Sequence, residues 1–377
     1  MESKKNNKGL IIALIAAVLI LVGGVGFDIY LNVKPELSPH KTVETVTKEQ
    51  VTITDEGIAK SVDKVYDSTV IVKDSNGSSI TGWGSGFVYK TDEKFGYILT
   101  NHHVIDNAKK IIIEYSDETT TEAELVGSDE YADVALLKVP VNTVKKTAII
   151  GSSENLNVGD TIFAIGTPIN LAYSFTVTRG IVSGKDRLVA MSNESSYTSY
   201  FDRYKNAETW YMSLIQIDAS INSGNSGGPL ANANGEIVGI TNSKLSSSYS
   251  SSSIENMGFA IPIEYALSIA EKIEKGESLE RPTMGVTMTT IDAASNSGIK
   301  LSDDITYGAL ITEVVKGSNA DRAGLEAGDV IIAMDDKKIT DYKYLKYYLY
   351  NYSIGDSATI KYIRNNKEHT TKITFKG

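Results

Sequence analysis

The chain has 377 residues, 41% of them hydrophobic and 22% charged, a composition that excludes wholesale disorder and a length that favours two folded domains. The absence of cysteine excludes disulfides, thiolate metal sites and a cysteine nucleophile, and four histidines make a histidine-rich metal centre unexpected. The net charge of −10 argues against a nucleic-acid partner, which would have to be met with Lys and Arg.

The first predicted element is an apolar helix at the N-terminus. Gly9 to Phe27 is a run of 19 residues without a charge, close to the ~20 residues that cross the hydrocarbon core of a membrane. Lys4, Lys5 and Lys8 precede it, and the positive-inside rule therefore places residues 1–8 in the cytoplasm. We predict a single-pass cell-membrane anchor with the rest of the chain extracytoplasmic. A cleaved signal peptide is the alternative, disfavoured by the length of the run and the lack of a clear cleavage site.

The region after the anchor changes from polar to strand-like. Residues 28–55 are polar, contain two prolines and predict a linker. Short apolar runs broken by Gly, Asn, Asp and Ser then extend to Phe259 and indicate an all-β sandwich or barrel. Asn234-Gly235 predicts a hairpin with a type I′ turn. The helical spacing from Tyr265 to Lys275, followed by Gly276, predicts a helix and its C-cap.

A glycine-rich segment carries the strongest sign of chemistry. Ser226 stands between Gly224 and the pair Gly227-Gly228, so it can lie on a sharp turn whose backbone N–H groups point at one spot. A serine hydroxyl is a poor nucleophile by itself. It needs a general base within hydrogen-bond reach and a carboxylate that orients the base.

The candidate base is a histidine, because imidazole exchanges protons near neutral pH. His40 lies in the predicted linker and His369 in the last strand-like run, which leaves His102 and His103 after a predicted strand. The acid should flank another strand, and Asp133 opens an apolar run of that kind. The residues alone do not decide whether His102 or His103 is the general base.

Three motifs in this order resemble the HtrA (DegP/DegS-like) family of trypsin-like serine proteases: Thr100-Asn-His-His-Val104, Asp133-Val-Ala-Leu-Leu-Lys138 and Gly224-Asn-Ser-Gly-Gly228. The resemblance implies His103 as the base, Asp133 as the acid, Ser226 as the nucleophile, and the N–H groups of Gly224 and Ser226 as the oxyanion hole. It covers nearly everything after residue 55. The fold that it implies is mainly β, with two six-stranded antiparallel barrels and the catalytic triad in the cleft between them.

The C-terminal part resembles a PDZ domain of the bacterial, circularly permuted kind, an α+β module. Met284, Gly285 and Val286 match the loop whose N–H groups capture a peptide carboxylate in such domains.

The charge distribution also distinguishes this C-terminal part. Residues 280–377 have 13 basic and 13 acidic residues, and residues 1–27 carry a net charge of +2, which leaves a net charge of −12 on residues 28–279. We expect a protease domain over residues 56–276 and a PDZ domain over residues 281–377.

We interpret the remaining conspicuous residues as structural and not as catalytic. The tyrosine-rich run over residues 342–352 has helical spacing, and Leu345 and Leu349 fall on its predicted core face. Asp106 and Asp129 are interpreted as solvent-exposed acids in turns.

The resemblance implies a membrane-anchored, extracytoplasmic endopeptidase that degrades misfolded or unfolded exported proteins. It further implies binding of peptide C-termini at the PDZ domain, a small aliphatic residue before the cleaved bond, a homotrimer, and neither metal nor organic cofactor. Two alternatives stay open. One is a chaperone or peptide-sensing scaffold with little proteolysis, and the other is a non-peptidase hydrolase with the same triad, which a PDZ domain disfavours.

Overall fold

The computed structural model of the chain describes residues 55–77, 79–192, 209–243 and 256–377, together with residue 16. Among these residues, no helix is both long and apolar enough to cross a membrane. The anchor predicted over residues 9–27 lies outside the described residues apart from residue 16, and so does nearly all of the predicted linker. From Thr54 onward the chain forms one compact unit.

The first part of this unit is a closed antiparallel barrel with the strand order β1-β2-β3-β6-β5-β4. Closure pairs every strand on both sides and leaves no exposed edge. A helix packs before the barrel, and a single helical turn follows its third strand. The elements are α1 (Asp55–Tyr66), β1 (Thr69–Ser75), β2 (Ile80–Thr91), β3 (Phe95–Thr100), α2 (His102–Ile105), β4 (Lys110–Glu114), β5 (Thr120–Asp129) and β6 (Val134–Pro140).

A second closed antiparallel barrel follows, with the strand order β10-β11-β12-β9-β8-β7. A helix leaves its last strand and packs back against both barrels. The elements are β7 (Thr161–Gly166), β8 (Thr176–Ser192), β9 (Thr209–Ile217), β10 (Pro229–Asn232), β11 (Ile237–Asn242), β12 (Gly258–Pro262) and α3 (Ile263–Glu274). The predicted pair of six-stranded barrels is confirmed.

The apolar runs are continuous because these strands are buried on both faces. In β6, Val134 and Leu136 belong to the hydrophobic cluster that both barrels share, whereas Leu137 and Val139 belong to the interior of the first barrel. Successive side chains of a strand point to opposite faces, so alternate residues enter different cores. Each barrel thereby packs its own interior and contributes one face to the contact between the two.

A separate α+β domain completes the chain. Its sheet has the order β13-β14-β15-β17-β18, with β16 paired to β15. The elements are β13 (Val286–Thr289), β14 (Ala309–Val314), α4 (Asn319–Arg322), β15 (Val330–Met334), β16 (Lys337–Lys338), α5 (Tyr342–Leu349), β17 (Ser357–Arg364) and β18 (Lys367–Thr374). Leu345 and Leu349 of α5 are buried in this domain's core, as their spacing predicts.

Local turn chemistry was predicted with mixed success. A hairpin joins β10 to β11 as expected, but the prediction that its turn is of type I′ is wrong. That turn needs a positive φ at both central residues, whereas Gly235 has φ +79° and Asn234 is not among the residues with positive φ. The N–H of Gly235 instead donates to the carbonyl of Asn232 at 2.9 Å, and the pairing shifts between Leu230 and Ala231. The chain thus reverses through a turn closed by a left-handed glycine.

Candidate active site

Strand register brings the candidate base and acid together. β3 pairs antiparallel with β6, and Thr100 lies opposite Ala135. Because β3 ends where β6 begins, α2 and the residue before β6 lie at the same end of the barrel. His103 lies in α2, and Asp133 precedes β6 with φ +51°. Asn101 donates from its side-chain amide to the carbonyl of Asp133 at 2.8 Å, which helps to hold this left-handed residue in place.

The carboxylate of Asp133 binds His103 through two groups. Nδ1 of His103 lies 2.7 Å from Oδ2, and the backbone N–H of His103 donates to Oδ1 at 3.0 Å. The Asp133 side chain is 5% exposed and also accepts a hydrogen bond of 2.6 Å from Nδ2 of Asn242. Since a carboxylate only accepts, Nδ1 carries the proton and Nε2 presents a lone pair. His103 is therefore oriented to accept a proton at Nε2.

The loop that carries Ser226 is bound tightly to its neighbours. Ser85 of β2 donates from Oγ to the carbonyl of Gly224 at 2.8 Å and from its N–H to the carbonyl of Ser226 at 2.8 Å. Thr241 of β11 donates from its hydroxyl to the carbonyl of Asn225 at 2.6 Å. With these carbonyls bound to the two barrels, the N–H groups of Gly224 and Ser226 donate to no protein acceptor in the described part of the chain.

Two glycines make this loop geometry possible. Gly224 has φ +99°, and a Cβ built there would lie 2.0 Å from the carbonyl oxygen of Thr167. Gly227 has φ +83°, and its Cβ would lie 2.2 Å from the carbonyl oxygen of Ser85. No side chain fits at either position without moving the backbone. The glycine-rich motif is thus required by close backbone approach as well as by turn conformation.

His103 and Ser226 face one cavity of about 410 Å³. Its remaining lining residues are Asp74, Gly82, Trp83, Val104, Asp106, Ser223, Gly224 and Ser243. The structure therefore brings together the three residues predicted to act in catalysis. His102 does not line the cavity, and its Nδ1 lies 3.0 Å from Oγ of Ser128. Within the described ranges, no group of three or more His, Asp or Glu residues could hold a metal ion.

The hydroxyl of Ser226 is bound to Ser243. The two Oγ atoms are 2.6 Å apart, and the backbone N–H of Ser243 donates to Oγ of Ser226 at 3.1 Å. Among the described residues, Ser226 makes no hydrogen bond to His103. Neither Asn242 nor Ser243 was predicted from the sequence, because the end of β11 reaches the site only through barrel closure and no local motif marks these residues.

The expectation that Asp129 is exposed was wrong. Its side chain is 1% exposed and forms an ion pair with Arg281, whose side chain is 5% exposed. Asp129 also accepts hydrogen bonds from the N–H groups of Tyr131 and Ala132, at 2.9 and 3.1 Å. The buried pair therefore connects the turn that leads to Asp133 with the start of the C-terminal domain. Asp106 is exposed, as predicted.

The predicted peptide-binding loop opens a second cavity, of about 390 Å³. Its lining includes Met284, Gly285 and Val286, together with Leu345 and Leu349 of α5. The N–H groups of Met284 and Gly285 have no protein acceptor among the described residues. An apolar groove that ends at free N–H groups is suited to the carboxyl end of a peptide.

This groove also borders the barrels. Tyr131, two residues before Asp133, and Thr209 of β9 line it. The ring of Tyr131 lies 5.6 Å from that of Tyr350, and Nζ of Lys346 donates to the carbonyl of Thr209 at 3.2 Å. A ligand in the groove would thus touch the loop that holds Asp133.

Comparison with known proteins assigns both parts of the described chain. Residues 84–240 match the model of a trypsin-like peptidase domain, and residues 282–375 match that of a PDZ domain. The mainly β architecture of a trypsin-like domain followed by a PDZ domain, predicted from the sequence, is confirmed.

Two HtrA-named relatives are similar to this chain over most of its length. "Serine protease Do-like HtrA" of Bacillus subtilis is 39% identical over 307 residues, which are 80% of this chain and 65% of the relative. The protein of the same name from Lactococcus lactis subsp. lactis is 34% identical over 79% of this chain and 72% of the relative. The chain thus spans about two thirds of the length of such relatives. A solved structure titled "HtrA-type protease AlgW with tripeptide" has 29% identity, covers 85% of this chain and 96% of its own, and superposes with a TM-score of 0.66.

Proposed function

Because the chain belongs to the HtrA family of serine proteases, we propose that it is a serine endopeptidase whose catalytic residues are Ser226, His103 and Asp133. The observation that carries this proposal is that His103, which is hydrogen-bonded to Asp133, lines one cavity together with Ser226. The pair leaves Nε2 of His103 free to act as a base, and the cavity leaves room for a peptide.

The mechanism follows from the roles that these groups can fill. His103 takes the hydroxyl proton as Oγ of Ser226 attacks the peptide carbonyl, and then gives it to the leaving amine. Asp133 keeps the imidazole in the required tautomer and stabilises its cation. The N–H groups of Gly224 and Ser226 bind the oxyanion. Loss of one such donor typically lowers the rate by about 10²–10³-fold. Water then releases the acyl group from Ser226.

The substrates that we propose are misfolded or unfolded exported proteins, cleaved after small aliphatic residues. Anchoring by residues 9–27 would place the catalytic domain outside the cell membrane, close to newly exported chains. The uncharged 19-residue run and the lysines before it support this location.

Peptide C-termini are the proposed ligands of the groove beside Met284, Gly285 and Val286. Its unpaired N–H groups and apolar wall support this assignment. We also propose a homotrimer. The exposed apolar side chains of Ile169, which is 67% exposed, Tyr173 and Val177 support an interface near the loop between β7 and β8. A molar mass by light scattering that equals one chain at all concentrations would exclude the trimer.

The proposed activity is tested with the purified full-length chain in detergent and a permanently unfolded protein as substrate. Cleavage should be lost in Ser226→Ala and His103→Ala and kept in His102→Ala, the matched control for the neighbouring histidine. Thermal unfolding of each variant shows whether it is folded.

Two outcomes would contradict the proposal. Cleavage that survives Ser226→Ala would place the nucleophile elsewhere. A wild-type chain that binds the unfolded protein and C-terminal peptides without cleaving either would favour the peptide-sensing scaffold.

A further inference from the structure

The contact between Ser226 and Ser243 has a consequence for the proposed reaction. A hydroxyl has one proton to donate and two lone pairs that accept. The N–H of Ser243 occupies one lone pair of Ser226 at 3.1 Å, and Oγ of Ser243 lies 2.6 Å away. Either hydroxyl can be the donor of this shorter bond.

Both directions of that bond lower the reactivity of Ser226. If Ser226 donates, its proton points to Ser243 and away from His103. If Ser243 donates, both lone pairs of Ser226 accept hydrogen bonds, which makes Oγ a weaker nucleophile. Nucleophilic attack is therefore faster once the hydroxyl contact with Ser243 is broken.

Ser243 lies where a substrate would break this contact. It follows β11 directly and lines the same cavity as His103 and Ser226. A single hydrogen bond between hydroxyls is weak enough for the binding of a peptide in the cavity to offset its loss.

We propose that Ser243 is a positioning residue that holds Ser226 in a resting orientation and releases it when a substrate occupies the cavity. The inference rests on the proposed function, since it concerns the nucleophile of that reaction. It adds a residue to the site that does not itself touch the reacting carbonyl.

The test is the reaction of Ser226 with a small fluorophosphonate, in which Oγ bonds to phosphorus, fluoride leaves and His103 takes the proton. Ser243→Ala removes the hydroxyl contact and keeps the backbone N–H. Because one hydrogen bond is lost, labelling should become about two- to tenfold faster than in the wild type. Ser243→Thr restores a hydroxyl and should react at the wild-type rate.

The pH profile separates positioning from a general structural effect. The maximal labelling rate of Ser243→Ala should rise, while the pH of half-maximal rate should stay unchanged because the pair of His103 and Asp133 is untouched. Equal or slower labelling of Ser243→Ala, with an unchanged melting temperature, would overturn the inference alone. If neither the wild type nor Ser243→Ala is labelled at Ser226, the proposed function fails as well.

Discussion

Asn242 and Asp133 are 109 positions apart in sequence, and Nδ2 of Asn242 donates to Oδ2 of Asp133 at 2.6 Å. Both side chains are buried, and the same carboxylate oxygen binds Nδ1 of His103. The second barrel therefore helps to position an acid that belongs to the first. The geometry of the proposed catalytic site therefore depends on how the two barrels pack.

We predict that Asn242→Ala lowers kcat/KM for a peptide substrate by about ten- to a hundredfold. The substitution removes one of the hydrogen bonds to a buried carboxylate, and a hydrogen bond to a charged group contributes about 1.5–3 kcal/mol. Steady-state kinetics beside Asn351→Ala, which truncates an exposed asparagine in the C-terminal domain, provides the comparison. A kcat/KM within twofold of the wild type in both variants would mean that Asn242 does not support the acid.

A second prediction concerns the conformation of Gly224. Gly224→Ala should lower kcat by at least a hundredfold, because its Cβ collides with the carbonyl of Thr167 and displaces an oxyanion donor. Gly159 is the matched control, since its φ is +97° and no atom lies within 4 Å of its Cβ position. Gly159→Ala should cost about 1–2 kcal/mol of stability through backbone strain and leave kcat unchanged. Equal losses of kcat in both variants would trace the effect to strain alone.

Removing one member of the buried ion pair between Arg281 and Asp129 should strongly lower the free energy of unfolding. Asp129→Asn leaves a guanidinium that is 5% exposed without its counter-charge, and breaking a buried pair from one side typically costs about 3–5 kcal/mol. Glu271→Gln breaks the exposed pair with Lys275 and should leave the free energy of unfolding nearly unchanged, because solvent screens exposed charges. Urea unfolding followed by tryptophan fluorescence measures both, and similar midpoints for the two variants would contradict this expectation.

Stability at acidic pH should depend on Glu264, which lies at the start of α3. Burial alone would raise the pKa of Glu264, but hydrogen bonds from Ser153 and Ser152 outweigh it and lower the pKa below its ordinary value of 4.5. A lowered pKa in the folded state gives stability that is present above pH 4.5 and lost as the pH falls through the folded value. Glu264→Gln should therefore lose less stability than the wild type on acidification below pH 4.5.

The control for this prediction is Glu277→Gln, which replaces an exposed carboxylate shortly after the same helix. Its free energy of unfolding should fall with acidification as steeply as that of the wild type. Urea unfolding at several pH values between 3 and 6 gives the slopes. The same slope for Glu264→Gln and the wild type would assign the acid sensitivity to other groups.

Local sequence was sufficient for the features that depend on neighbours in the chain. The apolar runs predicted strands, the spacing from Tyr265 to Lys275 predicted a helix that the structure places at Ile263–Glu274, and Asn234-Gly235 predicted a hairpin. Turn residues and side-chain periodicity act within a few residues, so a single sequence carries them. The order of the three motifs also sufficed to identify the family.

Tertiary structure decided the contacts between residues that are distant in sequence. These contacts depend on the antiparallel register across two closed barrels, which no local segment determines. It directs His103 rather than His102 to Asp133, and it brings the end of β11 to Ser226. It also buries Asp129, which its local sequence marks only as a turn acid, because its partner lies 152 positions away. Such contacts form when the two barrels and the C-terminal domain bury their apolar faces against one another, and burial between distant segments depends on the whole chain.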